Sequence, residues 1–384
     1  MRVNTSTTHE DHTAKERVPD RLSNQLLHED QNTMEPVFLV GCFLPGRLET
    51  SFLRAFNAIG VSTYTLDFGD SDGGINSPVR NRVVYRLTKH SLFARKAASM
   101  GFNRNLDEAV LRNGARTLLV MKGEFVMPDT LRRLRQRGVR VALLYPDNPF
   151  PPHPSQGPET LPAARETDLY LIWSERLVGK LRAAGVSNPA FLPFAWDPEV
   201  FPYCESTPQG TWPGVLFLGG WDKERAEFLE ELAAHVPLRI FGPSEWGSRT
   251  KRTSRVRRCF QGKALRMVEA ARVIRESAVC VNMMRTQHTI DGVPDGTIMR
   301  HFEVPGAGGV LLSTRGTGAT ALFPEGETGE YFSDVAECIV KAKRLIANES
   351  MRRQFGERAH AAVAREHQYT DRARQLLQLL EECR

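Results

Sequence analysis

The chain has 384 residues, 41% of them hydrophobic and 25% charged, with a formal net charge of +6, which is ordinary globular usage over a length that suits two cores rather than one. No stretch approaches the ~20 apolar residues of a membrane span, and the polar first 34 residues lack the apolar core of a signal peptide, so a cytoplasmic protein is expected. Its six cysteines (Cys42, Cys204, Cys259, Cys280, Cys338, Cys383) are scattered without a CxxC pair, which argues against a zinc site or disulfide framework and for a reducing compartment.

Residues 1–34 mix polar and charged types and are expected to be a disordered leader. PVFLVGCF (36–43) then reads as a buried strand, followed by a Pro-Gly turn and the amphipathic run LETSFLRAFNAIG, which closes on a glycine. The alternation continues with VSTYTLDF, TLLVMKG, a helix around PDTLRRLRQRG, the strand VRVALLYPD, and DLYLIWS leading into ERLVGKLRAAG. Strands spaced by helical runs of this length imply parallel crossovers and an open α/β sheet, here assigned to 35–195.

Prolines cluster over 193–214 and periodicity is lost, which marks 196–213 as an interdomain linker. The pattern restarts with GVLFLGG (214–220), a helix from about Lys223 to Ala234, PLRIFG (237–242), a helix around Ala264–Glu276, AVCVNM (278–283), a short helix Thr297–Val304, GVLLS (309–313) and helices near 334–347 and 350–366. Two Rossmann-like domains, 35–195 and 214–367, would then face each other across a cleft. Ligands of such sheets sit beyond the carboxyl ends of the strands, so the strand-closing glycines Gly219, Gly220 and Gly242 point at the site.

The segment DGTIMRHFEVPGAGGVLLST (295–314) concentrates the chemistry. Seven residues separate Asp295 from Glu303, Gly296 supplies a turn, and Thr297 can cap the helix that follows. A helix starting there would aim the free amides at Thr297 and Ile298, and its dipole, at a diphosphate. Glu303, about 9 Å further along at ~1.5 Å per residue, would suit the two ribose hydroxyls. Arg300 either neutralises phosphate or pairs with Glu303 at i, i+3. Gly306, Gly308 and Gly309 turn tightly into a strand where side chains would block a ligand.

The D-x7-E spacing with the FEVPGAGG turn resembles the E-x7-E signature of retaining GT-B glycosyltransferases, in the variant seen in CgeB-like (spore-maturation) glycosyltransferases. LLVMKGEFVMPDTLRRLRQRG, ALLYPDNPF, FLPFAWDPEVF, VLFLGGWDKERAEFLEEL and EHQYTDRARQLLQLL are similar to that family in the same order, over about residues 36 to 382. The resemblance implies a GT-B fold and sugar transfer from a nucleotide-diphosphate donor, a UDP-sugar among the candidates, to an unidentified acceptor. It implies that Glu303 holds the ribose and Asp295 meets the sugar. Gly219 and Gly220 would approach the diphosphate or acceptor, Lys223 and Arg225 would contact the diphosphate, and the helix from near Tyr369 (368–384) would cross back to the first domain. Asp295 is shorter than the usual Glu, and Pro305 is expected to interrupt the helix, so retention or inversion stays open.

The remaining signals are local. Asp147, in YPDNPF after a buried strand, is the candidate general base or acceptor-binding acid, with an Asx turn as the other reading. Lys122 and Glu124 lie at another strand end; His90 and His153 have no visible partner. The triplet Asp70-Ser71-Asp72 matches a metal-binding DxD, but its glycine-rich loop explains it, and no obligatory metal is expected. Nicotinamide and flavin sites are disfavoured because GCFLPG and GGWDKE lack G-x-G-x-x-G. Eight basic residues and no acid lie between Arg249 and Arg266; this run is either solvated surface or a weak contact with an anionic membrane, and sparse aromatics argue against nucleic acid. A GT-B epimerase or hydrolase, and a non-catalytic protein retaining the fold, are the alternatives.

Overall fold

Runs of Val, Leu and Phe without polar alternation suit strands covered on both faces. The computed structural model describes residues 35–68, 92–123, 125–150, 159–203 and 205–383, and it arranges these runs in two parallel sheets. In the first, β1 (Val37–Gly41), β2 (Thr63–Asp67), β3 (Thr117–Met121), β4 (Arg140–Tyr145), β5 (Leu169–Ile172) and β6 (Pro189–Phe191) lie in the order β2-β1-β3-β4-β5-β6. The second takes β7 (Trp212–Leu218), β8 (Leu238–Phe241) and β9 (Ser277–Asn282), skips a small hairpin of β10 (Thr289–Ile290) and β11 (Val293–Pro294), and adds β12 (Leu311–Thr314) and β13 (Glu330–Phe332). Its order is β8-β7-β9-β12-β13. Counted within each sheet, both follow the doubly wound 2-1-3-4-5 order, so the winding reverses between β1 and β3 and between β7 and β9. Crevices at the carboxyl ends of those pairs are where such folds hold ligands.

Helices cover both faces of each sheet. Phe38, Val40, Leu118 and Val120 pack on one face of the first sheet with Phe102, Leu106 and Val110; the last three belong to the helix Leu92–Arg112, which the periodicity did not reveal because its apolar stripe is weak. Val37, Leu39 and Leu119 pack on the other face with Phe52, Phe56 and the chain's final helix. That helix, Tyr369–Glu382, thus lies on the first sheet although it follows the second in sequence. Tyr369 meets Phe52 edge-on at 5.3 Å between ring centroids.

The chain passes between the sheets twice, at 192–201 and 367–369, and the two crossings are bonded together. Trp196 N–H donates to the His367 carbonyl at 2.8 Å, and Tyr369 N–H to the Trp196 carbonyl at 3.3 Å. Buried Arg372 adds Nε–H bonds to the carbonyls of Pro193 at 3.1 Å and Phe194 at 3.3 Å.

The short helix of the D-x7-E segment differs from its sequence expectation. It spans Arg300–Gly306 rather than Thr297–Val304, and Pro305 lies inside it. Thr297 does not cap it: the residue is buried and its hydroxyl has no hydrogen-bond partner. The Ile298 N–H donates instead to His301 Nδ1 at 3.0 Å. At the other end Gly308 has φ +79°, the left-handed conformation of a Schellman cap, with Gly308 N–H to Pro305 O at 2.8 Å and Gly309 N–H to Val304 O at 2.9 Å.

Candidate active site

The strand-ending turn Gly219-Gly220 at the winding reversal of the second sheet is walled by arginine. Arg225 is 8% exposed and sits in the first turn of the helix Lys223–Leu232, whose N-cap, Asp222, accepts the Arg225 N–H at 2.8 Å. Its guanidinium folds back over the turn and donates to the carbonyls of Gly220 at 3.2 Å and Met283 at 2.5 Å. Arg285 approaches from the end of β9. A Cβ on Gly220 would lie 2.4 Å from Arg285 Nη2, so the Arg285 guanidinium lies directly over the glycine turn. Asp222 Oδ2 stands between the arginines, 3.6 Å from Arg225 Nε and 3.4 Å from Arg285 Nε, while both Nε atoms are buried without a hydrogen bond. Burial, with Arg285 nearby, lowers the Arg225 pKa to about 10, so it stays cationic at neutral pH. Two guanidiniums with one carboxylate between them leave a net positive, partly dry corner, which favours an anion.

Glu303 lies in the same half, 7% exposed. It accepts from Arg300, the i, i+3 pair that was one of the two roles open to that arginine. Burial raises the carboxyl pKa against the opposing pull of Arg300. Behind it, His301 is fully buried and takes part in a chain in which its Nε2 lies 3.0 Å from Ser313 Oγ and Asn282 Nδ2–H donates to the same hydroxyl at 2.9 Å. Burial lowers the His301 pKa to about 4.

Asp295 is 3% exposed and has both carboxylate oxygens occupied. One accepts from Ser174, the other from Thr317, and Arg176 Nε stands 3.7 Å away. Ser174 also caps the helix Glu175–Ala183, accepting the Leu177 N–H at 3.1 Å. Asp295 therefore ties the first sheet's helix layer to the second half. Gly296 beside it has φ +70°, and a Cβ there would lie 2.5 Å from the Trp173 ring, so the halves meet in van der Waals contact at this point.

Other sequence candidates scatter. Lys223 points into solvent with its side chain 82% exposed, 3.7 Å from Glu227. Gly242 is fixed by packing, since a Cβ would fall 2.2 Å from the Gly219 carbonyl. A Cβ on Gly308 would strike Arg275 and Tyr203 rather than an open crevice. Asp147 lies two residues beyond β4 and pairs with Lys122 at 3.2 Å; Lys122 adopts φ +65°, rare for a residue with a side chain. The Asx turn belongs to its neighbour, Asn148 Oδ1 accepting the Phe150 N–H at 3.0 Å. Glu124, His90, His153 and Asp70-Ser71-Asp72 lie outside the described residues. In the basic run, Arg255 pairs with Glu230 at 3.6 Å and Lys263 with Glu269 at 2.6 Å, while Lys251, Arg252, Arg258 and Arg266 are exposed.

Sequence reading missed Arg285 and His288, which sit in no motif. The signal available was position, since MMRTQH directly follows the buried strand β9. Among the described residues, no group of three or more His, Cys, Asp or Glu side chains is placed to hold a metal ion, and no helix is long and apolar enough to cross a membrane.

Residues 224–378, less than half of the chain, match the family described as Glycosyl transferase-like. Solved structures similar to this chain include sucrose-phosphate synthase from Thermosynechococcus elongatus, with a TM-score of 0.61 at 15% identity, covering 91% of this chain and 98% of that one. The α,α-trehalose 6-phosphate synthase from Burkholderia multivorans gives 0.58 at 14% identity, covering 91% and 99%. Anabaena HepE, solved with UDP and glucose, gives 0.55 at 11%, covering 91% and 100%. A comparison with curated protein sequences finds no match. The fold is GT-B, two parallel-sheet α/β domains with a glycosyltransferase-like second half.

Proposed function

We propose that this chain is a glycosyltransferase that takes a sugar from a nucleotide-diphosphate donor held chiefly by its second half, in the manner its CgeB-like resemblance implies. The observation that carries the reading is the corner at Gly219-Gly220. Arg225 and Arg285 converge there, their two buried Nε–H groups sharing the single Asp222 carboxylate at 3.6 and 3.4 Å without a hydrogen bond, and the surplus positive charge suits a diphosphate. Glu303, buried beside Arg300, takes the ribose hydroxyls; Lys122 and Asp147 at the end of the first sheet face the acceptor. The arginines stabilise the charge that develops on the diphosphate as the glycosidic bond breaks, without an obligatory metal. HepE is a structural neighbour solved with UDP, which makes UDP the first nucleotide to try. The cytoplasm is the proposed compartment, and the exposed cations of 249–266 offer a weak contact for an anionic membrane.

Thermal-shift titration against UDP, GDP, dTDP and their sugar conjugates tests this. A bound ligand at 100 times its Kd stabilises the fold by about 2.7 kcal/mol, and the shift should vanish in Glu303→Ala and Arg225→Ala. No shift with any nucleotide refutes the donor pocket. Turnover should survive EDTA; its abolition refutes the metal-free mechanism.

A further inference from the structure

Beyond Arg285, the segment that leads to Asp295 packs between the two halves, Ile290 joining the first half's core and His288 meeting Trp173. Residues Thr286–His288 form a single 3-10 turn, and His288 is gripped on several sides. Its Nδ1 accepts the Arg285 N–H at 3.1 Å, and its carbonyl accepts the Asp295 N–H at 3.0 Å. Its ring stands edge-on to Trp173 of the first half, 5.5 Å between centroids. A ring nitrogen that accepts a hydrogen bond carries no proton, so the neutral ring bears its proton on Nε2. The Gln287 side-chain nitrogen lies 3.5 Å from Nε2 and, being itself a donor, does not accept from it. Nε2–H is therefore a fixed donor with little to donate to.

Its surroundings select the acceptor. Arg225, Arg285 and His301 act on the ring electrostatically against Asp147, and burial with the two arginines lowers its pKa to about 3. An anion at this junction would be served better by the arginines, whereas an uncharged N–H suits an uncharged oxygen.

We propose that His288 reads the transferred sugar, its Nε2–H donating to a sugar hydroxyl at the boundary between the diphosphate corner and the Asp147 end of the first sheet. This inference rests on the donor reading above. His288 is then a specificity-determining residue: its bond forms with a nucleotide sugar and not with the bare nucleotide.

Calorimetric titration of the full chain with UDP and with UDP-glucose separates the two readings. In His288→Phe, which keeps a flat ring but no donor, UDP should bind within about threefold of wild type, while UDP-glucose should weaken at least tenfold. His288→Gln, which returns an N–H, should recover part of the loss. A ratio of UDP to UDP-glucose affinity that is unchanged in His288→Phe overturns the inference and leaves the donor site intact; failure of the wild type to bind UDP, GDP, dTDP or any of their sugar conjugates overturns both. Should the variants fail to fold, nitrogen NMR of the wild type decides: the His288 Nε2–H signal should move with UDP-glucose but not with UDP, and equal behaviour with both refutes the contact.

Discussion

Replacing Asp295 distinguishes a residue that holds the halves together from one that touches sugar. In the structure its two oxygens accept from Ser174 and Thr317, with Arg176 3.7 Å away, and the residue is 3% exposed. Asp295→Ala removes two hydrogen bonds to a charged acceptor, at ~1.5–3 kcal/mol each, and leaves the Ser174 and Thr317 hydroxyls to find other partners. The expected loss is about 3–6 kcal/mol, a large part of the 5–15 kcal/mol typical of a folded domain. Asp295→Asn keeps one acceptor and should lose roughly half as much. Urea unfolding followed by fluorescence measures both. A double-mutant cycle with Ser174→Ala should return a coupling on the order of 1–3 kcal/mol between residues in contact. If Asp295→Ala unfolds at the wild-type urea midpoint while sugar transfer is lost, the clamp argument is wrong and the residue belongs to the sugar site.

Two further outcomes follow from packing and charge. Deleting 368–384 removes Tyr369, Leu376 and Leu380 from the face they share with Phe52 and Phe56; at ~1.5–3 kcal/mol per large side chain the loss should reach about 5 kcal/mol, and an unchanged melting temperature would show that the helix does not brace the first sheet. Acid should weaken the fold through His301, whose pKa of about 4 lies below its ordinary 6.5. The unfolded chain binds the extra proton first, so stability is full above pH 6.5 and falls towards pH 4. At pH 5 the contribution lost is roughly 2 kcal/mol by ~1.36 kcal/mol per pH unit. A His301→Asn variant should therefore lose less stability than wild type between pH 7 and 5, and parallel melting curves would refute the assignment.

What the sequence determined by itself was whatever depends on neighbours along the chain. Unbroken apolar runs made the strands, glycines closed them, and Arg300 and Glu303 could pair because i, i+3 residues share a helix face. The Gly308 turn was equally legible, although its reason is a left-handed helix cap and not room for a ligand. The helix start was misplaced: it begins at Arg300, and the Ile298 amide expected to stay free is taken by the His301 side chain. Tertiary structure alone decided the rest. Ser174 reaches Asp295 across 121 positions, Lys122 meets Asp147 only because β3 and β4 are neighbours in the sheet, and Arg285 and His288 gain meaning from Gly220 and Trp173. Periodicity records which face of an element is buried; it holds no information on which distant polar group will be waiting there.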